Sequence, residues 1–223
     1  MLGLYSRRKI ASLLAEWEPK LEEIGRKYPV DVCCVKAVLF TEMLRINMLD
    51  VAADFAVHSY WLRGDIRRKL FEAGFLKSDR PLLGGRVFCK KDSSVGLAQI
   101  FGFVAIDAIN FAIGRGFALA AELGVPEGRR LDKSRDEDLR YIWTRALRDR
   151  GFNIELCALN LLAAAQERTG RVDFGSYSPE ELKLIFTRYN GTVNGISSYG
   201  EEAYARYLDL KRAACADKKG DIK

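Results

Sequence analysis

Hydrophobic residues recur at intervals of three and four along most of this chain, with charged residues on the opposite faces, which is the pattern of amphipathic helices. The first such stripe consists of Ile10, Leu13, Leu14, Trp17, Leu21 and Ile24. Ser6 is placed to cap this helix, and Pro29 is placed to end it. We therefore expect one N-terminal helix within residues 1–30.

The next two segments differ in their pattern. Asp31 is placed to cap a second helix that runs to about Arg45 and is apolar on nearly every side, as expected of a helix buried in a core. Residues 47–92 follow, in which Asn47 to Leu76 predicts two helices and Gly84 to Phe88 predicts a loop with a possible short strand. We interpret residues 47–92 as a helical insertion or subdomain.

The longest apolar stretch runs from Val95 to Gly114, with polar side chains only at Gln99, Asp107 and Asn110. This length is enough to span a bilayer. An aspartate near the centre of a membrane span costs about 2.5–3.5 kcal/mol on insertion scales, however. We therefore predict a buried core helix that starts near Ser94, and no stable membrane insertion.

The C-terminal half of the chain predicts four more helices. Residues 139–147 are amphipathic, and a buried helix follows from Asn153, its expected cap, to about residue 168. Residues 178–181 (Ser-Pro-Glu-Glu) form a capping box that starts a helix ending at Gly191. A final amphipathic helix covers about residues 201–214.

These patterns predict a mainly α protein with a possible short β-hairpin. No Pro- or Gly-rich linker, low-complexity tract or repeat of fixed period divides the chain. The 223 residues, 48% of them hydrophobic, suffice for one domain with a sizeable core. We therefore expect a single domain over residues 1–223.

The chain is moderately basic, with a net charge of +6 and a pI of about 9.1. Lysines and arginines are spread over helix faces and do not form one run. Such a balance suits a polyanionic partner, which could be cell wall, nucleic acid or an acidic membrane surface, or it reflects only a solvated surface. Composition does not choose among these.

The cysteines and the single histidine bear on whether the protein has disulfides, a metal site or a histidine-dependent catalytic mechanism. The cysteines are Cys33, Cys34, Cys89, Cys157 and Cys215. Their number is odd and no two have CxxC spacing, so we interpret Cys33, Cys34 and Cys157 as small core residues of a reduced protein. His58 is the only histidine and has no ligand-type cluster around it. We therefore expect no metal, no cofactor and no Ser-His-Asp or Cys-His mechanism.

Four short segments, taken in order, carry the most specific signal in the chain. They are Leu39-Phe40-Thr41-Glu42-Met43-Leu44, Ser94-Val95-Gly96-Leu97-Ala98-Gln99-Ile100, Asn153-Ile154-Glu155-Leu156 and Arg188-Tyr189-Asn190-Gly191. In this order they resemble the signature of soluble lytic transglycosylases and goose-type lysozymes. The resemblance implies a lysozyme-like fold and cleavage of the MurNAc-GlcNAc β-1,4 bond of peptidoglycan.

Glu42 is the candidate general acid and base. It lies near the end of an otherwise apolar helix, and burial disfavours an ionised carboxylate, so we expect its pKa to be raised. A carboxylic acid that is still protonated near neutral pH can give its proton to a glycosidic oxygen. The alternative is a surface glutamate paired with Arg45 one turn along the helix.

The resemblance also implies substrate-binding roles for other motif residues. Gly96 and Gln99 match the family's Gly-Leu-Met-Gln loop, which lines the sugar cleft. Tyr189 and Asn190 match a Tyr-Asn-x-Gly motif, in which the tyrosine hydroxyl bonds the catalytic carboxyl and the asparagine reaches the substrate. The structural alternatives are a buried polar residue for Gln99, a core aromatic for Tyr189 and a helix cap for Asn190.

Two substitutions and one spacing depart from the family pattern. Met43 stands where the family usually has serine, and Ala98 stands where it has methionine. Residues 47–92 also lengthen the interval between Glu42 and the glycine-containing motif. A muramidase needs a second carboxylate to position water, and the candidates are Asp50, Asp54, Asp65 and Asp92. Since no motif selects one of them, we lean towards a lytic transglycosylase.

The leading hypothesis is therefore a peptidoglycan-cleaving enzyme, and the alternative is an inactive module of the same fold that binds glycan or a protein partner. Nucleic acid is not an expected partner, because no groove-reading motif is present. Since residues 1–5 do not begin a secretory signal, we expect synthesis in the cytoplasm and action at the wall after injection, lysis or another export route. A secretion machine or an inhibitor protein would then be a partner.

Overall fold

The computed structural model of the protein describes residues 3–73, 91–126, 129–191 and 194–220. Within these ranges helices dominate and the strands form one two-stranded hairpin, which confirms the prediction of a mainly α fold with a short β-hairpin. The elements are α1 (Arg7–Glu16), α2 (Glu18–Lys27), α3 (Val32–Arg45), α4 (Met48–Glu72), β1 (Ser94–Val95), β2 (Ile100–Phe101), α5 (Gly102–Gly114), α6 (Asp136–Arg148), α7 (Arg150–Thr169), α8 (Pro179–Asn190) and α9 (Ser198–Gly220), with a 3-10 turn at Ala121–Leu123.

The N-terminal segment forms two helices, so the prediction of one helix within residues 1–30 is wrong. Ser6 caps α1 as expected, and its hydroxyl accepts a hydrogen bond from the Lys9 amide at 3.3 Å. The chain breaks at Trp17 because Pro19 lacks an N–H and its ring clashes with the carbonyl four residues back. Pro19 instead occupies the first turn of α2, where proline is tolerated.

The segment after α3 holds a single 25-residue helix, α4, where two helices had been predicted. Gly64 lies in its middle with open space around it, and a glycine in a helix interior costs only about 1 kcal/mol without breaking the helix. Asn47 caps α4, because its side-chain oxygen accepts from the Leu49 amide at 2.8 Å. The loop or strand predicted at residues 84–88 lies outside the described residues.

The apolar stretch that begins at Val95 is a hairpin followed by a helix, so the prediction of one helix from Ser94 is wrong. Ser94 pairs with Phe101 and Val95 with Ile100 in antiparallel register, and α5 begins only at Gly102. A short apolar run suits a strand as well as a buried helix, and the turn between β1 and β2 decides the outcome. Among the described residues no helix is long and apolar enough to cross a membrane.

Helix α7 is the centre of the core and packs against α3, α5, α6 and α8. Its N-cap is Asp149, whose carboxylate accepts from the Phe152 amide at 2.9 Å. The prediction that Asn153 caps this helix is therefore wrong, since Asn153 lies one turn inside it and is fully buried. The buried Asn153 side chain instead forms hydrogen bonds with the backbone of the β1–β2 turn.

Helix α8 starts and ends as predicted. The Ser178 hydroxyl accepts from the Glu181 amide at 3.2 Å, and the Glu181 carboxylate accepts from the Ser178 amide at 2.8 Å, which completes the predicted capping box. Gly191 follows the last helical residue. Helix α9 packs on both α8 and α3, so the C-terminal segment lies against the helix that carries Glu42.

Candidate active site

A cleft of about 970 Å³ lies between α3, the β1–β2 hairpin, α5, α7 and α8. Its lining includes five of the residues predicted from sequence motifs or as a second carboxylate, namely Glu42, Asp50, Gln99, Tyr189 and Asn190. The remaining candidates lie outside this lining, namely Gly96, Asp54, Asp65 and Asp92. The fold therefore brings residues from three of the four motifs to one concave surface.

Glu42 is almost fully buried, with 6% of its surface exposed, although it lines the cleft. Burial raises its pKa to about 7, because a charged carboxylate loses its hydration there. The neighbouring Asp50 carboxylate also raises this pKa, whereas the Tyr199 hydroxyl and the Arg45 guanidinium lower it. Near neutral pH the carboxyl is thus divided between its protonated and ionised forms, which suits a group that gives and then takes a proton.

Arg45 does not hold Glu42 at the surface. Its guanidinium pairs with the Glu202 carboxylate at 2.9 Å and lies 4.7 Å from the centre of the Tyr199 ring. Both partners belong to α9, so Arg45 ties the end of α3 to that helix. The alternative of an exposed Glu42–Arg45 ion pair is therefore wrong, because Glu42 is buried.

The tyrosine beside the Glu42 carboxyl is Tyr199, from the first turn of α9. It is buried, and its hydroxyl lies near enough to lower the Glu42 pKa, although it makes no hydrogen bond of standard geometry with any described residue. Tyr189, for which the resemblance implied a bond to Glu42, instead donates to the Ala98 carbonyl at 2.8 Å. The family that the motifs resemble also carries aromatic residues near its last helix, and this is the sequence signal for Tyr199.

The β1–β2 turn is held by Asn153 of α7. The Asn153 side chain accepts from the Ala98 amide at 2.8 Å and donates to the Val95 carbonyl at 3.0 Å. Gly96 adopts a left-handed φ of +71°, and a Cβ there would lie 2.5 Å from Asn153 Cγ. Gly96 thus serves the close approach of the turn to α7 and is not among the residues that line the cleft, so its substrate-binding role stays a prediction.

Gln99 completes the turn and faces the cleft. Its backbone has a φ of +44°, which is uncommon for a residue with a side chain. The Gln99 side-chain Nε2 donates to the Gly96 carbonyl at 2.9 Å, and the side-chain oxygen accepts from the Ser94 hydroxyl at 3.2 Å. The side chain is therefore already held in place in the free protein, at the cleft surface where the resemblance assigns it to substrate.

Helix α8 contributes Asn190 and Arg188 to the cleft lining. Asn190 is exposed at the last helical position and lines the cleft. The Arg188 guanidinium pairs with the Glu167 carboxylate of α7 at 2.7 Å, and both side chains line the cleft. This ion pair fixes the end of α8 that presents Asn190.

Two of the four candidate second carboxylates lie near the site. Asp50 lines the cleft and accepts from the Asn47 amide at 2.8 Å, in the first turn of α4. Asp54, one turn further along α4, is half-buried and accepts from the Ser93 hydroxyl at 2.8 Å. Burial raises the pKa of Asp54 to about 6. Asp50 is therefore the better placed of the two to meet a molecule in the cleft.

The other two candidate carboxylates serve structural contacts. Asp65 is engaged by both terminal nitrogens of Arg140, with an Nη1–Oδ1 distance of 2.6 Å. Asp92 accepts from the Gly102 and Phe103 amides at 2.8 and 2.9 Å, and so caps the N-terminus of α5. Neither carboxylate lines the cleft.

An exposed aromatic pair lines one side of the cleft. Phe101 and Phe103 are 40% and 42% exposed, and their ring centres lie 5.3 Å apart. Capping of α5 by Asp92 fixes the backbone that carries both rings. These positions were expected in a core helix, and the pair was not predicted, because an apolar run in the sequence does not distinguish a buried helix from the β1–β2 hairpin that precedes α5.

Among the described residues no group of three or more histidine, cysteine, aspartate or glutamate side chains could hold a metal ion. His58 is exposed on α4. Cys34 and Cys157 are free and buried, in agreement with their predicted place in the core, whereas Cys33 is half-buried. Cys89 lies outside the described residues.

Comparisons with known proteins give no relative. No family model matches the chain, and neither a curated protein nor a solved structure matches it. The similarity to lytic transglycosylases and goose-type lysozymes therefore consists of the motif residues alone.

Proposed function

We propose that this protein cleaves the MurNAc-GlcNAc β-1,4 bond of peptidoglycan, as a lytic transglycosylase or muramidase, with Glu42 as general acid and base. The observation that carries the proposal is a buried carboxyl with a pKa raised to about 7 at the surface of a cleft. Gln99, Tyr189 and Asn190, which share motifs with the same families, line that cleft with Glu42.

In the proposed reaction, protonated Glu42 gives its proton to the glycosidic oxygen while the bond from that oxygen to the anomeric carbon breaks. The resulting carboxylate then takes a proton from the attacking hydroxyl. If that hydroxyl is the sugar's own 6-hydroxyl, the product carries a 1,6-anhydro end; if it is water, the product is a reducing end. Tyr199 and Arg45 favour the carboxylate that is present between these two steps.

The second carboxylate decides between the two outcomes. Asp50 is the candidate that both lines the cleft and acts electrostatically on Glu42. Its carboxylate also accepts a hydrogen bond from the Asn47 amide in the first turn of α4, which fixes its place. If the enzyme is a muramidase, we therefore assign Asp50 to the attacking water; the lean towards a transglycosylase remains, since no sequence motif marks Asp50.

The test is mass spectrometry of soluble products from purified peptidoglycan, with the wild type and Glu42→Gln in parallel. We expect anhydro-muropeptides from the wild type and none from the variant. Reducing-end muropeptides from the wild type would instead identify a muramidase, and Asp50→Asn should then also be inactive. Undiminished product from Glu42→Gln would contradict the assignment of Glu42.

A second candidate is a glycan-binding module without activity. It is favoured by the Gln99 carboxamide, whose nitrogen and oxygen each already make a hydrogen bond within the turn, and by the exposed Phe101 and Phe103 rings, which suit sugar binding without chemistry. This candidate predicts that the wild type sediments with peptidoglycan but releases no product from walls of several chemotypes. Product release by the wild type would exclude it.

A further inference from the structure

Helix α4 presents an apolar face to solvent. Five large side chains that lie within a sector of about 60° of this helix are each between 46% and 72% exposed, namely Met48, Val51, Phe55, Leu62 and Ile66. On the opposite side of the helix, Val57 and Trp61 are buried against the rest of the protein. The helix therefore has two apolar sides, and only one of them packs on the fold.

The exposed face of α4 is large enough to serve as an interface. Its five side chains leave roughly 500 Å² of apolar surface in water, near the upper end for the largest patch on a monomer. Two such faces brought together remove roughly 1,000 Å² from water, which approaches the lower range of specific protein–protein interfaces once flanking side chains are added. This area suffices for a reversible dimer.

The spacing along this face matches a helix that packs against another helix. Its central positions follow one another at alternating intervals of four and three residues, namely Met48, Ala52, Phe55, Ser59, Leu62 and Ile66. This is the a/d repeat through which paired helices interlock, and none of its positions carries a charge. A lipid surface requires only a broad apolar face and no such repeat. The spacing therefore favours a second helix as the partner.

The order of large and small residues selects an antiparallel pair of identical helices. If two copies of α4 run antiparallel about a two-fold axis through the middle of the repeat, Phe55 of one protomer lies against Ser59 of its partner. Leu62 lies against Ala52 in the same way, so large side chains meet small ones. A parallel pair would set Phe55 against Phe55 and Ser59 against Ser59, which crowds one level and leaves a void at the next.

We propose that this face of α4 is a self-association interface, on which a second copy of the chain packs antiparallel through its own α4. The proposal does not depend on the proposed function, but it bears on the same site. The interface begins at Met48, and Asp50, in the same helical turn, lines the cleft. Dimerisation therefore fixes the turn that carries Asp50.

The test is sedimentation velocity of the full chain, whose monomer mass is 25.1 kDa. We expect a shift to a dimer between about 1 and about 200 µM. Ser59→Phe should weaken association at least about tenfold, although it adds apolar surface, because two phenylalanines then meet at one level. The double variant Phe55→Ser/Ser59→Phe exchanges large and small residues, so its affinity should return to within about threefold of the wild type.

The matched control is Leu119→Ser, since Leu119 is 70% exposed and lies outside α4. It should leave association unchanged. All variants should melt at the temperature of the wild type at the lowest concentration, because the positions that they change lie on the outer face of α4 or at an exposed site.

A second measurement uses the wild type alone. Amide hydrogen exchange should be slower at about 200 µM than at about 1 µM in peptides from residues 48–66, because the partner covers that face and stabilises the helix. Peptides from residues 136–148 in α6 should exchange equally at both concentrations. This measurement identifies the interface without any substitution.

Four results would overturn the proposal. A monomer throughout the concentration range would exclude self-association, and slower exchange confined to other elements would place the interface elsewhere. Strengthening of association by Ser59→Phe would indicate unspecific apolar contact. Binding of the wild type to phosphatidylglycerol vesicles, with no dimer in their absence, would assign the face to a membrane surface.

Discussion

At the residue scale, the proposed chemistry depends on a single buried carboxyl. Glu42 loses hydration in the core-facing part of α3, and this raises its pKa to about 7. Of its neighbours, Tyr199 and Arg45 favour the ionised form and Asp50 disfavours it. Each of these influences can be tested separately, since each side chain can be replaced by one of similar shape.

The first prediction concerns the pH dependence of activity. Because Glu42 must be protonated to act as the acid, kcat/KM for wall cleavage should fall as pH rises above about 7, by about tenfold per unit. The measurement is a pH–rate profile on soluble glycan strands. A profile that stays flat to pH 9 would be incompatible with Glu42 as the acid.

The second prediction concerns stability. The pKa of Glu42 is about 7 in the folded protein, against an ordinary value of 4.5, so between these values the unfolded chain binds fewer protons and stability falls as pH rises. Glu42→Gln removes this penalty. The unfolding free energy of Glu42→Gln minus that of the wild type should therefore increase by about 3 kcal/mol from pH 4 to pH 8, as measured by urea unfolding. Equal pH dependence in both proteins would refute burial as the cause.

The third prediction separates the two tyrosines. Tyr199→Phe removes a hydroxyl that lowers the Glu42 pKa, so the alkaline limb of the pH–rate profile should move to higher pH. Tyr189→Phe is the matched control. It removes the hydrogen bond to the Ala98 carbonyl, so it should cost about 1–3 kcal/mol of stability and leave the limb in place. A shifted limb in the control alone would reverse the assignment.

At the element scale, the conformation of the β1–β2 turn depends on hydrogen bonds from two neighbouring helices. Asn153 of α7 holds the turn through two hydrogen bonds, and Tyr189 of α8 holds it through a third. The turn presents Gln99 to the cleft, and Asp92 caps the helix that follows. The geometry of this part of the cleft is therefore set by helices that are distant from the turn in sequence.

The fourth prediction tests this support. Gly96→Ala forces a Cβ to within 2.5 Å of Asn153 in a left-handed backbone, so it should cost about 2–5 kcal/mol and abolish activity. Gly170→Ala is the control, since Gly170 has a similar φ of +72° but open space around it. It should cost only about 1–2 kcal/mol, measured by urea unfolding, with activity retained. Equal losses in both variants would assign the effect to the backbone conformation alone.

At the scale of the whole molecule, the net charge of +6 bears on the proposed binding to the wall polymer and not on the proposed cleavage step. A basic surface concentrates the protein on an anionic wall, and salt screens that attraction. The fifth prediction is that raising NaCl from about 50 to about 300 mM lowers cleavage of intact sacculi several-fold. Cleavage of short neutral chains should change little. Equal salt sensitivity on both substrates would place the effect inside the cleft.

The pattern of apolar and polar positions predicted the helical fold class, the Ser178 capping box and the end of α8, because these features depend on neighbours in sequence. It did not predict the helix break before Pro19, because the apolar stripe continues across the proline, or the strand at Ser94, because an apolar run suits both a strand and a helix. Asn153 was wrongly predicted as a cap because the hydrogen-bond partners of its buried side chain are backbone groups of the β1–β2 turn, which is distant in sequence.

The sequence by itself determined that the protein is mainly α and that Glu42 is the candidate acid. Helical periodicity and an acidic residue within an apolar helix can both be read from neighbouring positions in the sequence. Only the tertiary structure decided the neighbours of that acid. Tyr199 lies beside Glu42, Asp50 is the candidate carboxylate in the cleft, and Asp65 and Asp92 serve structural contacts. These relations join segments far apart in the chain, and burial and distance, which set pKa values and hydrogen bonds, exist only after the helices pack.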